Sequence, residues 1–222
     1  MRMRRKKHLD ERLDALSDYL IVPEKDIVNV KEAIKDKKYL DFNAIFNNDN
    51  RVELEIGCGK GRFITEKAKA NPNVNYIAVE LLENIIVMAC ELAKMNNLKN
   101  VKFINSGAEY LPRYVKEKSI SNIYLNFSPP FPKDGYESRR LTSERYVPYY
   151  KEYLTRGGKI YQKTDDLGFF KYSFSKFVEH GFLVEDVTEK LLSGEIDNVQ
   201  TEYELKFKEK GISPYALIAE KI

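Results

Sequence analysis

From residue 51 onward, two apolar rhythms alternate along this chain. Short, nearly continuous apolar runs at 51–56, 75–79, 101–104, 120–127, 159–163 and 183–188 predict strands. Between them, segments at 59–70, 83–96, 142–154 and 167–179 carry apolar residues at helical spacing and predict helices. Gly181 stands where a helix ends in left-handed backbone. Repeated strand–helix–strand spacing predicts a mostly parallel, doubly wound sheet. Two further segments, 203–208 and 215–220, read as strands with no helix between them and predict an antiparallel hairpin at one edge. Before residue 51 the pattern is looser. Leu9, Leu13, Leu16 and Leu20 predict partial helix, residues 26–46 are mixed, and Asn47-Asn48-Asp49-Asn50 is a turn.

A chain of 222 residues accommodates one large α/β domain. The expectation is a single domain over 1–222, with 1–46 as a basic N-terminal arm and helical extension. Charged residues make up 32% of the chain, but the signs cancel to +3, too small an excess to imply nucleic acid by itself. Charge distribution is more telling: the chain opens MRMRRKK, either a solvated tail or an arm that meets phosphates. No apolar run approaches the roughly 18 residues of a membrane span, and no apolar stretch follows the first cations as a secretory signal requires. Cys58 and Cys90 are too few for a disulfide framework and lack metal-ligand spacing. A reduced, cytoplasmic protein with no metal and no membrane partner is expected, as monomer or homodimer. His8 and His180 have no partner motif, so a histidine-based triad is unsupported.

The strand at 51–56 runs into Gly57-Cys58-Gly59-Lys60-Gly61 and then a helix. Glycines there allow an open turn and close approach of a ligand to the backbone, beside the free N–H groups of the helix start. The next strand ends at Glu80, a carboxylate placed to accept both ribose hydroxyls of a nucleoside. The spacing is GxGxG, neither the dinucleotide GxGxxG nor a P-loop. Glu55 precedes the first glycine, and a carboxylate at a buried strand end needs a pairing charge. ExGxGxG with a distal acid looks like the motif of class I methyltransferases, which bind S-adenosylmethionine. Cys58 reads as a small filler.

A second concentration of chemistry lies at Tyr124-Leu125-Asn126-Phe127-Ser128-Pro129-Pro130-Phe131-Pro132-Lys133, followed by Arg139-Arg140-Leu141-Thr142. Prolines stiffen the turn. Phe131 offers a ring, and the cations suit phosphate. Thr142 reads as a helix N-cap. Arg140 has the alternative of an intrahelical pair with Glu144. Further on come Lys163-Thr164-Asp165 at a strand end and Thr201-Glu202-Tyr203-Glu204. In this order the motifs resemble the bacterial tRNA (guanine-N7-)-methyltransferases over nearly the whole chain.

The resemblance implies the seven-stranded class I methyltransferase sheet, α/β with helices on both faces, with S-adenosylmethionine as methyl donor (S-adenosylhomocysteine as product) and tRNA as substrate, methylated at N7 of a variable-loop guanosine. It implies cofactor contacts from Glu55, Gly57, Gly59, Gly61, Glu80, Gly107, Ala108 and Asn126. It implies substrate contacts from Lys133, Asp165, Thr201, Glu202, Tyr203 and Glu204. RNA contacts are expected from Arg2, Arg4, Arg5, Lys6, Lys7, Lys133, Arg139 and Arg140, with Phe131 or Tyr136 stacking on the extruded base.

This chain departs from the family pattern at the proline turn. Ser-Asp-Pro-Trp-Pro-Lys becomes Ser128-Pro129-Pro130-Phe131-Pro132-Lys133, so the acid usually called catalytic falls at Pro129. A second family aspartate falls at Gly107, with Glu109 as a substitute from another position. Guanine N7 carries no proton at neutral pH, so methyl transfer needs alignment rather than a base. Asp165 or Glu204 then accepts hydrogen bonds from the guanine N1–H and N2–H₂ edge, and activity is expected to be weakened rather than abolished. Two other readings stay open. Ser128-Pro129-Pro130-Phe131 also fits the [DNS]-P-P-[YFW] signature of methyltransferases acting on exocyclic amines. Pro129 and Gly107 also suit a tRNA-binding module that has lost turnover.

Overall fold

A computed structural model describes residues 4–23, 29–196, 198–208 and 211–222. Its strands are β1 (Leu20–Ile21), β2 (Val52–Ile56), β3 (Asn75–Glu80), β4 (Val101–Asn105), β5 (Ile120–Asn126), β6 (Leu154–Thr164), β7 (Phe182–Asp186) and β8 (Tyr215–Lys221). Its α-helices are α1 (Leu9–Asp14), α2 (Val30–Ala33), α3 (Phe42–Phe46), α4 (Arg62–Ala70), α5 (Glu83–Met95), α6 (Leu111–Tyr114), α7 (Val147–Tyr153), α8 (Leu167–Glu179), α9 (Thr188–Ser193) and α10 (Glu202–Lys208). The sheet runs β1-β4-β3-β2-β5-β6-β8-β7. The pairs β1–β4, β3–β4 and β5–β6 are parallel, and β8 is antiparallel to both β6 and β7. The sheet therefore has eight strands where the resemblance implied seven, because the N-terminal segment adds two-residue β1 beside β4.

The chain divides into two compact units, Met1–Asn50 with Glu55–Tyr114, and Arg51–Leu54 with Val115–Ile222. In the first, β3 is buried along all but its last residue. Parallel strands covered on both faces read as continuous apolar runs, which is why the sequence located them. The N-terminal segment is stitched to α5. Leu9, Leu16, Tyr19 and Leu20 are buried in one cluster with Ile86, Val87 and Cys90. Arg12 donates bidentately to Glu91 at 2.7 and 2.7 Å, and Lys94 Nζ donates to the Ala15 carbonyl at 2.8 Å. The partial helix expected here is α1, and Leu20 serves a strand instead.

In the second unit, Tyr124 Oη and Asn122 Nδ2 donate to the buried Glu53 carboxylate at 2.7 and 2.9 Å, satisfying a charge that would be costly alone. The helix predicted from residue 142 starts later, at Val147, with Pro148 in its first turn. Thr142 is not its cap: it is buried, with its hydroxyl 2.8 Å from Ser173 Oγ. The strand predicted at 203–208 is α10, and the antiparallel edge forms from β7 and β8 instead.

Candidate functional site

In the first unit the chemistry collects around the turn after β2. Gly57 and Cys58 both donate their N–H to the Val79 carbonyl, at 2.8 and 3.0 Å, so the turn folds over the end of β3. Gly57 and Gly59 have φ of 83° and 56°, backbone that favours glycine. A Cβ on either would meet nothing within 4 Å, so open space lies against the backbone there. Gly61 serves packing instead: a Cβ on it would lie 2.6 Å from Ala89 Cβ, so its smallness lets α4 approach α5.

Glu80 bridges two features. Its Oε2 accepts from Gly59 N at 3.2 Å, and its Oε1 accepts from Leu82 N at 2.9 Å, at the start of α5. Asn105 Nδ2 donates to the Glu80 and Leu81 carbonyls, both at 3.1 Å, and steadies the strand tip. Each Glu80 oxygen keeps a lone pair for a hydroxyl. Glu55 is buried at the end of β2. Burial first, then the charges of Glu55 and Glu80, push the Cys58 thiol well up. It stays protonated, as a filler residue should and a nucleophile should not.

Gly107 and Ala108 follow β4, and Ala108 opens a short 3₁₀ turn. Glu109 folds back over Gly107: a Cβ on Gly107 would lie 2.5 Å from Glu109 Oε2 and 2.7 Å from its carboxyl carbon. A carboxylate therefore occupies the room that a side chain at 107 would take, although it comes from two residues along. Sequence position alone could not give this.

In the second unit, β5 ends at the buried Asn126, and the chain then enters a strained bend. Phe127 has φ of 50° and Phe131 of 42°, left-handed backbone in bulky residues. Phe127 N donates to the Lys163 carbonyl at 2.8 Å. Arg140 Nε donates to the Pro130 carbonyl at 3.0 Å, and Arg140 Nη2 to the Phe131 carbonyl at 3.0 Å. The guanidinium lies 4.4 Å over the Tyr172 ring, whose hydroxyl donates to Glu137 at 2.8 Å. Burial, then that hydrogen bond, raises the Tyr172 phenol.

Arg140 thus braces the proline turn. Its fork points neither outward to phosphate nor to Glu144, which pairs with Lys176 and His180. Arg139 differs: it is exposed, with its guanidinium 4.5 Å over the exposed Tyr136 ring. Lys133 and Pro129 are exposed, and Phe131 is half-buried. Ser128 is buried, and its hydroxyl has no partner among the described residues.

The segment expected to bind substrate is an anchored helix start. Lys163 Nζ donates to Glu204 Oε2 at 2.9 Å, to Asn198 Oδ1 at 2.9 Å and to the Val199 carbonyl at 3.3 Å. Glu204 Oε2 also accepts from Thr201 N at 2.8 Å, while Thr201 Oγ1 accepts from Glu204 N at 3.1 Å. That reciprocal pair is a capping box, and T-x-x-E was its signal in the sequence. Alternating Tyr203, Leu205 and Phe207 concealed it as a strand. Burial alone would raise the Glu204 carboxyl, but the Lys163 charge, the Thr201 amide and Asn198 hold it below its ordinary value. Three donors occupy this carboxylate, whereas Asp165, after β6, is exposed. Glu202 is half-buried. Tyr203, 55% exposed, stacks on Phe127 at 5.9 Å, with Phe207 at 5.6 Å from the same ring.

Among the described residues no helix is long and apolar enough to cross a membrane, and no group of His, Cys, Asp or Glu is arranged to hold a metal ion. A parallel sheet with a glycine cradle after one strand and an acid at the tip of the next is the arrangement of class I methyltransferases. The fold agrees with a solved structure, the precorrin-6y C5,15-methyltransferase of Geobacter metallireducens GS-15, at a TM-score of 0.56 and 16% identity over 90% of this chain and 94% of that one. The family model described as "Putative methyltransferase" matches residues 49–217. The chain is 36% identical to the tRNA (guanine-N(7)-)-methyltransferase of Streptococcus thermophilus (strain CNRZ 1066) over 99% of both chains. It is 43% identical to the one from Geobacillus sp. (strain WCH70) over 77% of this chain and 78% of that relative. The chain belongs to the tRNA (guanine-N(7)-)-methyltransferase family.

Proposed function

We propose that this protein transfers a methyl group from S-adenosylmethionine to N7 of a guanosine in the variable loop of tRNA. The observation that carries the reading is the likeness to the Streptococcus thermophilus relative, which spans 99% of both chains and includes the proline-turn region where this sequence departs from the pattern.

The residues of the first unit fit the donor. Open space against Gly57 and Gly59 admits a ligand to the backbone. Glu80 is already oriented by Gly59 and Leu82 and retains acceptor capacity for ribose hydroxyls. We assign Glu55, Gly57, Gly59, Glu80, Gly107 and Ala108 to the donor, with the Glu109 carboxylate filling the place of an acid at 107. Gly61 acts indirectly by setting the helix approach. When bound, S-adenosylmethionine supplies an electrophilic methyl on a sulfonium.

The guanosine we assign to the second unit. In the transfer, the N7 lone pair forms the new N–C bond as the S–C bond breaks, and positive charge passes from sulfur to the purine. No proton leaves N7, so Pro129 in place of an acid removes no obligatory base. The chain's work is alignment. Asp165 is the exposed carboxylate to accept from the N1–H and N2–H₂ edge, where a negative group also favours the charge growing on the ring. Glu204 we assign to holding α10, since Lys163, Thr201 and Asn198 occupy it. Tyr203 then presents an exposed ring on a fixed helix, and Lys133, Arg139 and Tyr136 remain for RNA.

The test is nucleoside analysis of an unmodified tRNA transcript treated with purified protein and S-adenosylmethionine. The expected product is 7-methylguanosine. An N4- or N6-methylated base would instead support the amine-directed reading of Ser128-Pro129-Pro130-Phe131. Binding of S-adenosylhomocysteine without any methyl transfer would mark a family member that has lost turnover.

A further inference from the structure

Residues 4–7 are attached to the fold in a way that a solvated tail does not require. Asn84 lies in the first turn of α5, and its side-chain amide clasps the backbone on both sides of Arg5. Its Oδ1 accepts from Lys6 N at 2.8 Å, and its Nδ2 donates to the Arg4 carbonyl at 3.1 Å. The segment that follows is fastened at three more points down the same helix. Leu9 and Leu16 are buried, Arg12 forks onto Glu91, and Lys94 reaches the Ala15 carbonyl. The chain from 4 to 16 therefore lies along α5, with its first residues at the end of α5 that follows Glu80. Glu80 is the residue whose carboxylate holds Gly59. Within this unit, the arm starts on the rim that carries the glycine cradle.

Charge matching around the arm is uneven. Asp10 pairs with Arg5, Glu11 with His8 at 2.9 Å, and Glu91 with Arg12. These acids are spent on partners within the segment and α5. Arg4 and Lys7 are exposed and make no ion pair among the described residues, while Lys6, half-buried between them, helps Arg12 hold the Glu91 carboxyl below its usual range. Two exposed cations, Arg4 and Lys7, flank Lys6 on ordered backbone with no ion pair of their own, and such a group suits the evenly spaced phosphates of a nucleic-acid strand. We infer that residues 4–7, clasped by Asn84, form a fixed contact for the phosphodiester backbone of the RNA substrate. This inference rests on the tRNA reading above. Asn84 acts in it as a positioning residue: it touches no RNA, but it sets where Arg4, Lys6 and Lys7 meet the phosphates.

Salt dependence separates this role from a merely structural one. Each phosphate contact adds about 0.7–0.9 to the slope of log affinity against log salt concentration. Binding of an unmodified tRNA transcript to the full chain would be measured across a potassium chloride series. For Asn84→Ala, the slope should fall by about one to two units. Affinity at low salt should weaken about 3–10-fold and converge on that of the unaltered protein as salt rises. The combined variant Arg4→Gln, Lys6→Gln, Lys7→Gln removes all three cations and should lower the slope by about two to three units, and adding Asn84→Ala to it should change little more. S-adenosylhomocysteine affinity should stay unaltered in all three.

An unchanged slope in Asn84→Ala overturns the inference, and so do losses that simply add in the combined variant. Weakened S-adenosylhomocysteine binding in Asn84→Ala also overturns it, because the clasp would then serve the cradle. If the unaltered protein binds the transcript and yields 7-methylguanosine while the variants behave like it, only this inference falls. If the unaltered protein binds no tRNA, the functional reading falls as well.

Discussion

The two turns that carry the chemistry use the same left-handed backbone and obtain it in opposite ways. After β2, glycines at 57, 59 and 61 adopt φ of 83°, 56° and 82° with no side chain to oppose them. After β5, phenylalanines at 127 and 131 adopt φ of 50° and 42°, a conformation that costs about 1–3 kcal/mol each in a non-glycine residue. The first turn leaves open space beside its backbone, fit for a ligand. The second is forced into place by outside bonds, from the Lys163 carbonyl and from Arg140. The glycine turn is built by its own residues and the strand beside it, whereas the proline turn is built by residues that arrive from elsewhere in the sequence.

The difference can be attacked directly. The largest expected effect comes from the buried pair that anchors α10. Lys163→Met leaves the Glu204 carboxylate buried without its cation and should destabilise the fold by about 3–5 kcal/mol, read as a lowered denaturant midpoint. The same pair gives a pH signature. The Glu204 carboxyl is depressed in the folded state, so it contributes stability above its unfolded value of about 4.3, and that contribution is lost as pH falls through the lower folded value. Glu204→Gln should flatten this acid limb of the melting profile. A limb that survives in the variant assigns it to other carboxylates.

Next comes the cradle. Removing a charged acceptor costs about 1.5–3 kcal/mol, so Glu80→Ala should weaken S-adenosylhomocysteine binding about 10–100-fold by calorimetry. It should leave the salt slope for tRNA alone. If the cofactor still binds with full affinity, the cradle has been misplaced.

The neighbouring arginines sharpen the contrast. Arg140→Ala frees the Pro130 and Phe131 carbonyls and should lower kcat by up to about 100-fold, the scale of a displacement near 1 Å at a reacting centre. Arg139→Ala should instead raise KM for tRNA and reduce its salt slope by about 0.7–0.9, with kcat kept. Should both variants alter the same parameter, the inward and outward roles are not distinct. Smallest of all, Glu109→Ala should weaken S-adenosylhomocysteine binding by about 3–10-fold, as expected for one hydrogen bond of about 1 kcal/mol.

The chain's one-dimensional pattern settled strands β2 to β6, the helices between them apart from the start of α7, the GxGxG turn and the acid at the tip of β3. Those features depend on local periodicity, on backbone freedom at glycine and on short sequence offsets, all of which are written consecutively. Family resemblance followed from the order of such motifs. Tertiary structure alone decided the rest. Alternation at Tyr203, Leu205 and Phe207 suggested a strand, but a Thr201–Glu204 capping box and the Lys163 anchor made a helix. Arg139 and Arg140 look alike in sequence, yet one faces outward and the other braces carbonyls near the strained bend. Glu109 fills the place of a side chain absent at Gly107. Asn84 turns a basic tail into an ordered arm. Each of these depends on which distant donor meets which acceptor, and a side chain's partner across space is set by packing, not by its neighbours along the chain.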